Sequence, residues 1–95
     1  MNVSDRVWRE IEAHERELFR QVRGGEFCYE VSGNNVVPDR SKYPIHRSQF
    51  DKALDRIPLA STNVVNDLRG PSYIYAILMD PRIQSAWSVE SGSRS

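Results

Sequence analysis

The chain has 95 residues, in which 13 Lys and Arg balance 13 Asp and Glu. That length holds one domain and one core, at a size where the stability margin is thin and self-association that hides apolar area helps. Zero net charge leaves no long-range field to draw nucleic acid or an anionic membrane, and the single cysteine, Cys28, excludes an internal disulfide and any zinc site of paired thiolates.

The opening residues alternate charge with apolar side chains, and they contain no continuous apolar stretch of the kind a signal peptide or membrane span requires. With one unpaired thiol, this pattern suits a reducing cytoplasm. Ser4 and Asp5 predict a helix start, and the Gly24-Gly25 pair a stop, with Arg20 and Arg23 in the last turn. Between them Val7, Ile11, Leu18 and Val22 recur at helical spacing, widened by Trp8 and Phe19, so one long amphipathic helix is expected.

Residues 26–32 then alternate, with Phe27, Tyr29 and Val31 on one face. Gly33-Asn34 supplies a tight turn, and Asn35, Val36 and Val37 form the return strand, setting Val31 opposite Val36 until Pro38 ends the ladder. Residues 39–47 read as an extended connection. Ser48 with Asp51 resembles a capping box, and Phe50, Ala53, Leu54 and Ile57 trace a second helix up to Pro58. A short third helix over residues 63–69 is expected to end on Gly70 as its C-cap. Residues 73–79, apolar all round except for two phenol hydroxyls, form a helix that is central in the core or half of an interface. Asp80-Pro81 opens a last turn carrying Ile83 and Trp87, and residues 88–95 are a polar tail expected to be disordered. The fold class is α+β: an amphipathic helix, a two-stranded antiparallel hairpin, then two or three short helices in one small domain over residues 1–87.

Few residues point to chemistry. Arg40, Lys42, His46, Arg47, Lys52 and Arg56, with Tyr43 among them, make residues 39–56 the most basic stretch, interrupted by Asp39, Asp51 and Asp55. Donors beside an aromatic suit a phosphate backbone, although a solvated surface explains them as well. Arg47 before Ser48, and Arg69 before Gly70-Pro71-Ser72, place a guanidinium at a helix start, a sound anion site that capping alone also accounts for. The anion or nucleic-acid candidates are therefore Arg40, Lys42, Tyr43, Arg47, Ser48, Lys52 and Arg69. A helix-turn-helix reading fails, because its second helix would be the apolar 73–79 segment.

His14 falls on the apolar stripe of the first helix, where a switch or a hydrogen-bonded core histidine are the two readings. Nucleophilic catalysis would need Cys28 beside His46 or His14, and a cysteine inside a strand is usually a small buried hydrophobe, so no enzyme is expected. No cofactor or metal is implied. Trp8, Tyr73, Tyr75 and Trp87 offer large aromatic area, either as interface anchors or as closure of the core. The expectation is a non-catalytic interaction module that forms a homodimer or binds a protein partner, with nucleic-acid or phosphate binding as the alternative and no membrane partner. An isolated hairpin is marginal in water, so its edge is expected to be covered by helices or paired in a second chain.

Overall fold

The computed structural model describes residues 2–22, 24–41, 43–57 and 59–88. The elements run α1 (Val3–Ala13), β1 (Phe19–Arg20), β2 (Glu26–Phe27), β3 (Tyr29–Ser32), β4 (Asn35–Pro38), β5 (Ile45–His46) and α2 (Arg47–Leu54). A 3-10 turn (Thr62–Val65), α3 (Pro71–Met79) and α4 (Pro81–Trp87) follow. The protein is thus a small α+β domain, helix first, then antiparallel strands, then short helices.

The first helix is half as long as its periodicity predicts. Asn2, rather than Ser4, caps it by accepting from the Asp5 amide at 2.9 Å, and it ends on His14. Beyond that end Arg16 adopts φ +70°, and its amide donates to the Tyr29 carbonyl at 2.7 Å, so the chain reverses and enters a strand. Phe19 pairs with Phe27 and Arg20 with Glu26, and the Gly24-Gly25 pair lies in the turn of this small hairpin instead of stopping a helix. Gly24 serves the turn through φ +94°. Leu18 and Val22, expected on the core stripe, are exposed at 58% and 66%, while Phe19 is buried.

The second hairpin forms in the expected register, Val31 opposite Val36, with Gly33 alone taking the positive φ of the two-residue loop. Cys28 breaks the preceding strand in two, so Phe27 belongs to the β1–β2 sheet and Tyr29 to the larger one. The stretch expected as a plain connection contributes β5, whose Ile45 pairs with Val36 and whose His46 pairs with Asn35. The three-stranded order is β3-β4-β5. Both sides of the hairpin are therefore occupied within the chain. β5 covers β4, and the turn after α1 covers β3 through the Arg16 amide on Tyr29 and the Val31 amide on the Glu15 carboxylate at 2.9 Å. Of the two expected ways to cover the hairpin edge, by elements of its own chain or by a second chain, the first applies, although strand β5 and a turn do the covering rather than helices.

α2 starts two residues earlier than its capping box implies. His46 is the cap, its Nδ1 accepting from the Ser48 amide at 3.1 Å, and Asp51 instead accepts from the Ser4 hydroxyl of α1. The helix stops at Leu54, and Ile57 packs half-buried beyond it. The third predicted helix shrinks to the 3-10 turn, and Gly70 opens α3 rather than closing its predecessor. Gly70 has φ +66°, and a Cβ there would meet Ile45 Cδ1 at 2.7 Å, so conformation and close approach both demand glycine. Pro71 then occupies the first helical turn, where its missing N–H costs nothing.

The core lies between α1, α3, α4 and the two sheets. Aromatic rings link the layers: Phe19 to Phe27 at 6.0 Å between centroids, Phe19 to Tyr29 at 5.3 Å, Phe27 edge-on to Tyr73 at 5.0 Å, and Trp8 edge-on to Phe50 at 6.2 Å. The fully buried Tyr29 satisfies its hydroxyl by donating to the Ile11 carbonyl at 2.6 Å.

Candidate functional site

Two depressions stand out by composition. The first lies between the β1–β2 loop and α3, where Arg20, Val22, Tyr75, Ala76, Met79, Asp80 and Pro81 line a groove of about 290 Å³. Its apolar part exists because α3 has no polar face: Ile74, Ala76, Ile77 and Leu78 go into the core, and Tyr75 and Met79 are left half-buried at the surface. Val22 is delivered beside them by the β1–β2 hairpin, whose outer rim carries the Arg20–Glu26 ion pair at 2.9 Å.

The base of that hairpin is held by Arg82. Its guanidinium forks onto both oxygens of Asp80, with Nε to Oδ1 at 2.8 Å and an Nη to Oδ2 at 2.9 Å, and further donates to Glu17 at 2.9 Å and the Leu18 carbonyl at 2.8 Å. It also lies 3.9 Å from the centroid of the Phe19 ring. The Arg82 bond holds the Asp80 carboxyl below the ordinary carboxylate range, and Glu17 is lowered by its bonds to His14 and then Arg82. His14 is thus no member of a helical stripe: it caps α1 with Nδ1 2.9 Å from Glu17 and Nε2 3.4 Å from Glu10.

The second depression, about 530 Å³ and polar, is lined by Gln49, Lys52, Arg56, Asp67, Leu68 and Arg69. Gln49 and Lys52 share one face of α2, Arg56 follows in the turn after it, and residues 67–69 form the opposite wall. Arg56 grips both oxygens of Asp67, at 2.6 and 3.2 Å, and donates to the Val64 carbonyl at 3.1 Å. The shared hydrogen bond lowers Asp67 and raises Arg56.

Of the predicted anion residues, the structure brings Lys52 and Arg69 together here and disperses the rest. Arg40 donates to the Glu26 carbonyl at 2.9 Å. Arg47 pairs with Asp5 at 2.5 Å and lies 5.4 Å from the Trp8 ring centroid, lining a separate depression with Arg9, Glu12 and the Gly33-Asn34 turn. Ser48 is engaged with His46, Tyr43 is 63% exposed, and Lys42 lies outside the described residues. Arg56 was read as part of the basic stretch but not among the anion candidates, and Gln49 was missed, although their spacing from Lys52 at i+4 and i−3 along the expected second helix was a legible signal.

Of the predicted interface residues, Tyr75 lines the apolar groove. Trp8 is a core residue, 5% exposed. Tyr73 packs on Phe27, and Trp87 donates from Nε1 to the Leu78 carbonyl at 2.7 Å, satisfying an acceptor at the end of α3.

Cys28 lies in a fourth depression with Arg16, Tyr29, Glu30, Val37 and Asp39, and partial desolvation followed by the Asp39 charge raises its thiol. His46 turns its Nδ1 to the α2 cap, and neither histidine lines that depression. Among the described residues no group of three His, Cys, Asp or Glu converges as metal ligands would, and no helix is long and apolar enough to cross a membrane. Comparison of the chain with protein-family models, with curated proteins and with solved structures finds no match.

Proposed function

We propose that the protein is a non-catalytic interaction module that pairs with a second copy of itself through the groove between the β1–β2 loop and α3. The observation that carries this is Val22, an aliphatic side chain left 66% exposed beside half-buried Tyr75 and Met79 and exposed Pro81. Apolar contact at the centre with charged groups at the rim is the arrangement of a protein interface. The rim also favours self-pairing. Arg20 and Asp80 line the same groove with opposite sign, each already ion-paired within its own chain to Glu26 and Arg82, so a twofold axis can bring the paired charges of the two copies together without leaving a like-charged rim. With a formal net charge of zero, two copies approach without net repulsion. A lone thiol suits a reducing compartment, and the cytoplasm is the proposed location.

Sedimentation of the full chain over the micromolar range tests this. The wild type is expected to shift to dimer with rising concentration, and a Val22→Asp, Met79→Asp variant to remain a monomer with an unchanged circular-dichroism spectrum. A wild type that stays monomeric throughout, or a variant that dimerises equally well, rejects the proposal.

A further inference from the structure

We propose that the polar depression between α2 and residues 67–69 binds a phosphate monoester dianion, independently of self-pairing. Lys52, Arg56 and Arg69 line it against the one carboxylate of Asp67, an excess of two positive charges. A phosphate monoester carries about −1.5 to −2 at neutral pH, so it matches that excess where a diester, with one charge, does not.

The donors are arranged for use. Asp67 spends both oxygens on Arg56, which fixes the guanidinium and leaves its Nε–H and one Nη hydrogen without an acceptor among the described residues. Gln49 Oε1 accepts from the Arg69 backbone amide at 3.0 Å, which leaves the Gln49 Nε2 hydrogens as donors. The Lys52 ammonium and the Arg69 guanidinium have no hydrogen-bond partner among the described residues, and both residues are exposed. A planar guanidinium with an ammonium and an amide around one opening is a phosphate-recognition set.

The same geometry argues against a nucleic-acid track, which needs a line of available donors spanning successive phosphates. Arg40 and Arg47 are occupied at Glu26 and at Asp5, and neither lines this depression.

The test is an amide and arginine-side-chain NMR titration of the full chain with phenyl phosphate, with inorganic phosphate, and with dimethyl phosphate as the diester, at ionic strength held constant with sodium chloride. Phenyl phosphate and inorganic phosphate are expected to give saturable shifts at Gln49 and Arg69, stronger at about pH 7.5 than at about pH 5.5, where the monoanion dominates. A Lys52→Ala, Arg69→Ala variant, which alters only exposed residues, should weaken binding by roughly tenfold or more. The Val22→Asp, Met79→Asp variant should bind as the wild type does, which separates this site from the self-pairing groove. Response of phenyl phosphate alone would assign the site to organic monoesters, and equal response of both dianion-forming probes to the phosphate group itself. Shifts no larger than the chloride control, an equal response to the diester, or binding that survives the double substitution would overturn the proposal, as would tighter binding of a single-stranded oligonucleotide than of either monoester probe.

Discussion

Arg82 ties together more of the chain than any other single side chain described above. It joins α4, the turn after α1 and β1, and its hydrogen bonds go to charged acceptors and a carbonyl while its plane covers Phe19. Removing it takes the guanidinium fork from the Asp80 carboxylate, which keeps only the backbone amide of residue 82, and leaves the Leu18 carbonyl without its donor, so Arg82→Ala should cost about 2 kcal/mol in denaturant unfolding, and Arg82→Lys should recover only part because the fork is lost. Asp80 and Glu17 titrate lower in the folded chain than in the unfolded one. Their stabilisation is complete above the ordinary carboxyl range, near pH 4, and is lost as pH falls through their folded values. Acid unfolding should therefore set in more gradually in Arg82→Ala than in the wild type. Tyr29 acts at the opposite end. Burial pushes its phenol above the ordinary value of about 10, so its contribution is complete below that pH and is lost as pH rises further. Tyr29→Phe should cost about 1 kcal/mol at neutral pH, by leaving the Ile11 carbonyl without its donor, and should flatten the alkaline loss of stability.

At the scale of elements, β1 and Gly70 make opposite demands. If β1 is a strand whose inward residue is Phe19, then Leu18→Ser and Val22→Ser should each change monomer stability by less than about 0.5 kcal/mol, while Phe19→Ala costs about 3–5 kcal/mol. A continuous helix over these residues would predict large losses at all three. Gly70→Ala must accept a left-handed φ and push into the buried Ile45, so a loss of about 2 kcal/mol or more is expected from thermal or denaturant unfolding. The hairpin around Gly33 was readable because its alternation and turn are local, contiguous signals. The early end of α1 was not. Leu18 and Val22 fall in helical phase with Val7 and Ile11, and only the pairing of Phe19 with Phe27 and the bond from Arg16 to Tyr29 decide against the helix. β5 was hidden for the same reason, since two residues carry no period and Ile45 becomes a strand only when Val36 lies beside it.

For the whole molecule, the arrangement shifts where a partner would dock. The hairpin was expected to be covered by helices or paired in a second chain. It is instead enclosed by β5 on one side and the turn after α1 on the other, and the proposed place for a partner moves to the groove beside α3, where Val22 is exposed. If that groove pairs two copies, the melting temperature should rise with protein concentration, and this dependence should vanish in Val22→Asp, Met79→Asp. The basic residues were legible one by one, but their grouping was not: Arg69 lies twenty residues from Gln49 in sequence and is brought to it by the chain's path through the 3-10 turn.

The amino-acid sequence by itself determined the α+β class, the hairpin and its register, the starting point of α2 to within two residues, and the central apolar helix. Each of these follows from contacts between near neighbours, in which period, turn residues and caps act over a few positions. Only the tertiary structure decided that the first helix stops at Ala13, that Trp8 belongs to the core and Val22 to the surface, and that Lys52 meets Arg69 while Arg40 and Arg47 go elsewhere. Those outcomes depend on which distant side chain offers the better burial or hydrogen bond, a competition that local pattern does not encode.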